Sequence, residues 1–288
     1  MTLSNTPALI PLIFLGTAAL IPIIASRKNW IAFPFSLLAS LISVFISIYN
    51  ILLVLQKGSV RYFFGGWAPP IGIEYVLDPF SAFIVLVINS IAFLVLIHSK
   101  RVVENEHPDR RTPYYAVVML MLCGFNGIVL TGDFFNLYVF LEISSLALYG
   151  MIAIGEKKSP IAAFRYLIMG TIGASFYLLG TGFLFMATGS LNMADIKMIL
   201  PNIYQEHTVI VGLILMVIGM AIKMAMFPLH GWLPDSYTYA PSSTAALVAP
   251  TGTKIGAYVI IRILFFIFGV SFVSKMLPLT QVLGWLAA

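Results

Sequence analysis

Long uninterrupted apolar runs constrain this 288-residue chain more than any other feature. A helix that crosses the hydrocarbon core of a bilayer, about 30 Å thick, needs about 20 apolar residues. Runs of this kind occupy roughly 7–25, 31–55, 79–98, 114–131, 134–154, 160–187, 208–227 and 243–270, and a ninth begins near 277. They do not alternate with period two, so they predict spanning helices and not barrel strands. The expected fold class is all-α: a polytopic transmembrane helix bundle of about eight complete helices, spans 1–8, plus the start of a ninth. Only 9% of the residues are charged and 60% are hydrophobic. A soluble domain carries roughly 25% charged residues, so most of this surface is expected to face lipid. The last stretch, LPLTQVLGWLAA at 277–288, is too short to span and ends inside an apolar run. A truncated sequence is therefore expected.

The formal charge of +5 does not point to nucleic acid, because the basic residues lie in short loops between apolar runs. The loops after spans 1, 3 and 5 hold Arg27, Lys28, Lys100, Arg101, Arg110, Arg111, Lys157 and Lys158, with Arg165 just beyond. The opposite loops hold Lys57, Arg61, Lys197 and Lys275. This bias predicts a multi-pass protein of the cell membrane with its N-terminus outside and its odd-numbered loops in the cytoplasm. Arg27 and Lys28 follow the first run instead of preceding it, which argues against a cleavable signal peptide. Segment 58–78, with its Gly-Gly and Pro-Pro punctuation, predicts a small outer hairpin on the membrane surface. The single cysteine, Cys123, can form neither an intrachain disulfide nor a thiolate metal site.

A few charges remain inside the runs: Glu142 in span 5, Lys223 in span 7, and Lys254 and Arg262 in span 8. A charge at the bilayer centre costs about 2.5 kcal/mol or more, so each is a functional candidate. Counting about 1.5 Å per residue puts Glu142 about 13 Å and Lys223 about 20 Å below the outer boundary. The same count puts Lys254 about 16 Å above the inner one, while Arg262 lies closer to the outer boundary. Pro228 follows Lys223 and frees the carbonyl of Met224; Pro250 precedes Lys254 and frees that of Ala246, with Gly252 between them. Spans 7 and 8 are therefore expected to be discontinuous, near Met224–Pro228 and Ala246–Pro250, with both lysines facing the protein interior. Broken helices at this depth recur at transporter ion sites. Burial disfavours a lysine's charged form and a neighbouring glutamate favours it, so movement of the partner would load or release a proton. The same pair could instead be structural glue.

Several stretches together resemble the antiporter-like subunits shared by respiratory complex I, Mrp-type Na⁺/H⁺ antiporters and membrane-bound hydrogenases. They are GGWAPPIGIEYVLDPFSAF from Gly65, TGDFFNLYVFLEISSLALYG from Thr131, FRYLIMGTIGASFYLLGTGFLF from Phe164, and KMAMFPLHGWLPDSYTYAPSSTAALVAPTGTKIGAYVIIR from Lys223. The wording around GGWAPP and GDFFNLYVFLE is similar to the D-type Mrp antiporter protein and its hydrogenase relatives. The resemblance implies two inverted five-helix repeats, with discontinuous helices 7 and 12. On that plan residues 1–113 hold spans 1–3, 114–272 form the first repeat, and 273–288 begin a truncated second. It also implies a proton relay through Glu142, Lys223 and Lys254, with His230 in PLHGWLPD near the connection of spans 7 and 8. The second repeat is nearly absent here, and with it the exit residue on helix 12. The implied partners are other membrane subunits, lipid, H⁺ and Na⁺.

The remaining candidates have plainer readings. His98, His107 and His207 sit at predicted span ends or in loops and read as surface histidines, whereas His230 titrates near neutral pH and suits either role. Asp133 and Asp235 border helices and read as caps, and Asp78-Pro79 starts span 3. Trp30, Trp67 and Trp232 fit interfacial belts. Gly170 and Gly173 read as packing positions, since no strand precedes them to make a nucleotide loop. No haem, flavin or metal motif is visible, so no cofactor is expected. The expected function is a proton- or Na⁺/H⁺-translocating subunit of an antiporter, or of a redox-driven pump such as an oxidoreductase or hydrogenase complex, with no redox centre of its own. The alternatives are a quinone-binding membrane subunit and a purely structural one.

Overall fold

The computed structural model describes residues 5–26, 28–155, 157–276, 281 and 284. Its helices follow the apolar runs closely. In chain order they are α1 (Thr6–Ile24), α2 (Ala32–Lys57), α3 (Pro79–Glu106), α4 (Arg111–Leu130), α5 (Phe134–Ala153) and α6 (Ser159–Thr188). The short α7 (Met193–Ile199) comes next, followed by α8 (His207–Lys223), the short α9 (Leu233–Tyr239), α10 (Ser242–Ile261), a π-helical segment (Arg262–Gly269) and α11 (Val270–Met276). Among the described residues, α1 to α6 and the segment 242–274 are long and apolar enough to cross a membrane, and α8 is a shorter apolar helix. The protein is a polytopic helical membrane bundle. The ninth run lies outside the described residues apart from Gln281 and Gly284.

The 58–78 segment forms the expected hairpin. β1 (Val60–Phe63) pairs antiparallel with β2 (Glu74–Leu77), with Val60 opposite Leu77 and Phe63 opposite Glu74. Asp78 then caps α3: its carboxylate accepts from the Ser81 amide at 2.8 Å, and Ser81 Oγ accepts from the Asp78 amide at 2.8 Å. This reciprocal capping box explains why α3 starts abruptly at Pro79. At its other end α3 continues to Glu106, past the expected end at 98, so His98 lies on an exposed helix face and not at a terminus.

Without a hydrophobic drive between helices in lipid, close van der Waals contact has to hold them together, and small residues permit it. A Cβ on Gly173 of α6 would stand 3.0 Å from the Gly219 carbonyl of α8. One on Gly180 would stand 2.8 Å from the Met216 amide nitrogen. Gly170 leaves room for the Tyr149 hydroxyl. The reading of Gly170 and Gly173 as packing positions therefore holds. Polar contacts add to this in spans 2–4. Asn89 of α3 donates to Ser47 Oγ of α2 at 2.8 Å and accepts from Asn126 of α4 at 3.0 Å, all three fully buried.

The two expected helix breaks come out differently. Span 7 is broken where expected. α8 stops at Lys223 and the chain turns from Met224 until α9 begins at Leu233, with Ala225 at φ 57°. Span 8 is not broken at Ala246–Pro250, because α10 passes through Pro250 without interruption. Side chains near the gap in the ladder bind backbone carbonyls there: Thr251 Oγ1 donates to the Leu247 carbonyl at 2.6 Å and Lys254 Nζ to that of Ala249 at 2.8 Å. Neither bond goes to the freed Ala246 carbonyl itself, but both add donors to the turns around the proline. The irregular part of span 8 is the π segment, which begins at Arg262, about three turns beyond Pro250, and nothing in the local sequence announced it.

Candidate functional site

Glu142, Ser145 and Tyr149 lie three and four residues apart on α5, a spacing that places them on one helix face. Gly124 of α4 allows the neighbouring Ser144 to pack closely, since a Cβ there would stand 2.7 Å from Ser144 Cβ. The other half of the site comes from α8, seated on α6 by its glycines, and Lys223 is its last residue. That residue is only 8% exposed.

A helix end buried in the protein leaves carbonyls without partners. Here the Ile222 carbonyl accepts from the Ala225 amide at 3.1 Å and also from the Trp232 indole Nε1 at 3.0 Å, and the Trp232 ring stacks on Tyr166 of α6 with centroids 4.1 Å apart. Trp232 is therefore a buried residue that closes the break, and not a member of an interfacial belt. Trp30 and Trp67 are exposed.

Lys223 Nζ donates to Ser145 Oγ at 2.7 Å. Its expected partner, Glu142, is half-buried. The Glu142 charge reaches Lys223, yet among the described residues the two form no ion pair. Glu142 Oε1 is buried without a hydrogen-bond partner. The expected pair is thus apart, with the lysine on a hydroxyl one turn along α5. Beside it is a cavity of about 30 Å³, lined by Ser144, Ser145, Tyr166, Lys223, Gly252 and Gly256 among others. That volume holds about one water molecule.

The other predicted site residues do not converge on this point. Lys254 is exposed on α10 and does not face the interior as expected; Gly252 and Gly256 of the same helix line the cavity. Gly252 therefore serves the cavity wall and not a helix break. His230 is exposed in the turn after α8, with its ring 5.6 Å from Phe227. Pro228 sits in that turn, where a missing amide donor costs least.

A second charged arrangement occupies the hairpin end of the molecule. Arg262, the first residue of the π segment, binds both carboxylate oxygens of Asp78, at 2.5 and 2.6 Å, and donates from Nε to the Tyr258 hydroxyl at 2.7 Å. Its guanidinium also lies over the rings of Phe80, Tyr258 and Phe266. Burial alone would raise the Asp78 carboxyl, but the Arg262 hydrogen bonds and charge hold it below its ordinary value. Asp133 caps α5 as expected, accepting from the Asn136 amide at 2.7 Å. Burial raises its carboxyl despite the capping bonds, and the nearby Glu74 adds to the rise. Asp235 is not a cap: it pairs with Arg165 of α6 at 2.5 Å. Glu74 is fully buried and accepts from Asn192 at 2.7 Å. Nothing in the local residue pattern signalled that role, because the Asn192 partner lies 118 positions away in sequence.

Residues 131–288, which include Glu142, Lys223, Lys254 and His230, match the family described as NADH:quinone oxidoreductase/Mrp antiporter, TM. The chain belongs to this family. The N subunit of the NADH-quinone oxidoreductase of Desulforudis audaxviator is 46% identical, across 79% of this chain and 45% of the relative. The D subunit of the Na⁺/H⁺ antiporter of Bacillus subtilis is 36% identical, across 98% of this chain and 55% of the relative. Among solved structures, the membrane-bound sulfane sulfur reductase, an archaeal respiratory membrane complex, contains a similar chain. It superposes with a TM-score of 0.89 at 32% identity, over 97% of this chain and 56% of that one. The chain thus spans about half the length of the curated family members it matches.

Proposed function

We propose that this chain is a proton- or Na⁺/H⁺-translocating membrane subunit of a multisubunit cation/proton antiporter or redox-driven pump. The observation that carries the reading is Lys223. It is a buried lysine at the end of a broken membrane helix, bonded to a neutral hydroxyl, with a carboxylate nearby that has an unpartnered oxygen. A charged side chain at such depth costs several kcal/mol, and a structural pair would offset that cost by direct contact. Here the groups stand apart, as an exchangeable proton carrier and its counter-charge would. Two subunits that are similar in sequence, one of an antiporter and one of an oxidoreductase, support the same class of activity.

In this reading Glu142 receives the proton and Lys223 passes it toward the cavity at α10. Lys254, on an exposed face of α10, hands it to a neighbouring segment or subunit. His230, exposed near the break, gives the inner side access. The hairpin faces outward, the N-terminus lies outside, and the odd-numbered loops are cytoplasmic. The test is Glu142→Gln, assayed as pH-gradient-driven cation exchange in inverted vesicles bearing the assembled complex. The expected result is normal abundance with exchange reduced at least about tenfold, about 1.4 kcal/mol on the barrier. Unchanged exchange at normal abundance rejects the reading.

A further inference from the structure

We infer that Ser145 is the positioning residue for Lys223: its hydroxyl is the seat that receives the ammonium group when it leaves Glu142. The inference rests on the proton-relay reading above and adds the second of the two positions such a relay needs. The distance is that of a short hydrogen bond, 2.7 Å from Nζ to Oγ, and both side chains are buried. A buried ammonium with no acceptor is costly, so a lysine can leave its carboxylate only if another acceptor is within reach. α5 provides one by helical repeat. Ser145 is three residues beyond Glu142 on the same face, so a lysine projecting from α8 changes partner by swinging one turn along α5, without moving its own backbone.

A neutral seat and a charged one also differ in what they do to the proton. Glu142 holds the ammonium form by charge attraction. Ser145 accepts one hydrogen bond from it but supplies no charge, so a proton on Lys223 is easier to release there. The release point is also the right one in space. The cavity of about 30 Å³ is lined by Ser144, Ser145 and Lys223 on one side and by Gly252 and Gly256 of α10 on the other. A lysine on Ser145 therefore borders a space of one-water size whose wall is shared with Gly252 and Gly256 of the next long helix, α10. No bond other than N–H and O–H is made or broken: the proton passes from Lys223 Nζ to a water molecule in the cavity, whose O–H count rises by one until it passes a proton on, and neutral Lys223 regains one from protonated Glu142, which is left as the carboxylate.

The experiment compares Ser145→Ala, Ser145→Cys and Ser145→Thr with Glu142→Gln, in the assembled complex in inverted vesicles, as exchange rate per unit of subunit. Alanine removes the acceptor and cysteine replaces it with a poor one of similar size, so both are expected to lower exchange about fivefold or more at normal abundance. Threonine keeps a hydroxyl and is expected to retain more than about half the wild-type rate. A purely structural role would not divide the variants by their hydroxyl. If alanine lowers abundance, the near-isosteric cysteine carries the comparison. Wild-type exchange by both the alanine and cysteine variants, or equal loss in threonine and cysteine at normal abundance, overturns the inference. Full exchange by Glu142→Gln would instead overturn the relay reading beneath it.

Discussion

Two charge arrangements, each at least partly buried, lie in the same bundle and are built in opposite ways. At the hairpin end, Asp78 and Arg262 are locked by two short bonds, with a third to Tyr258 and aromatic rings around the guanidinium. In the middle, Lys223 and Glu142 stand apart, and Lys223 rests on Ser145. The chemistry of the cations suits the difference. A guanidinium matches a carboxylate with two parallel bonds and keeps its proton, whereas an ammonium is a point charge that can give its proton up. A closed arginine pair fixes geometry, and an open lysine pair leaves two positions available. Burial of charge in a membrane helix therefore does not by itself separate a structural pair from a moving one. Under the proposed relay, the partner geometry does.

The largest effect expected from breaking this contrast is on the closed pair. Asp78→Asn leaves a half-buried Arg262 beside a neutral group, a loss of about 2 kcal/mol of stability. Thermal unfolding of the purified complex should show it. The pH dependence has a definite sign. The Asp78 carboxyl sits below its ordinary value, so its contribution is fully present above the unfolded value, about 3.9, and is lost as pH falls through the lowered folded value. The gap between Asp78→Asn and the wild type should therefore be constant near neutral pH and close in strong acid. A gap that stays open there would show that Asp78 acts through something other than its charge.

The next largest effect tests the open pair. Lys223→Arg keeps the charge but not the ability to lose it. Its expected outcome is normal abundance with exchange reduced at least about tenfold, or about 1.4 kcal/mol on the barrier. Near wild-type exchange would make Lys223 glue like Arg262 and erase the contrast. The smallest effect concerns the support for the open pair. Trp232→Phe keeps an aromatic ring against Tyr166 but removes the donor to the Ile222 carbonyl. It should cost about 1 kcal/mol of stability and lower exchange by no more than about threefold, measured by the same melts and vesicle assay. A loss as large as that of Lys223→Arg would move Trp232 from support into the transfer step itself.

Much of the architecture was legible because a bilayer imposes a length rule on any chain that crosses it. Apolar runs of about 20 residues locate the spans, and Gly-Gly and Pro-Pro clusters locate the hairpin between β1 and β2. Pro228 marked the end of α8 correctly, since a missing donor and a left-handed Ala225 leave that helix no continuation. Pro250 misled, because whether a proline breaks a membrane helix depends on the packing and the local donors around it. Thr251 and Lys254 bind carbonyls beside it in a way that only the folded helix reveals.

At the site the division is similar. The sequence alone picked out Glu142 and Lys223, because a charge in an apolar run is costly enough to be conspicuous by itself. Ser145 and Trp232 were not conspicuous. Neither carries a charge to stand out, and each finds its partners only where α5, α6 and α8 meet. The Asp78–Arg262 pair joins residues 184 positions apart, a distance across which no local pattern carries information. Composition and run length thus determined that this chain is a bundle of membrane helices with a few buried charges. Only the tertiary structure decided which charges touch, because hydrogen bonds act over about 3 Å and the packing of the helices sets which groups come that close.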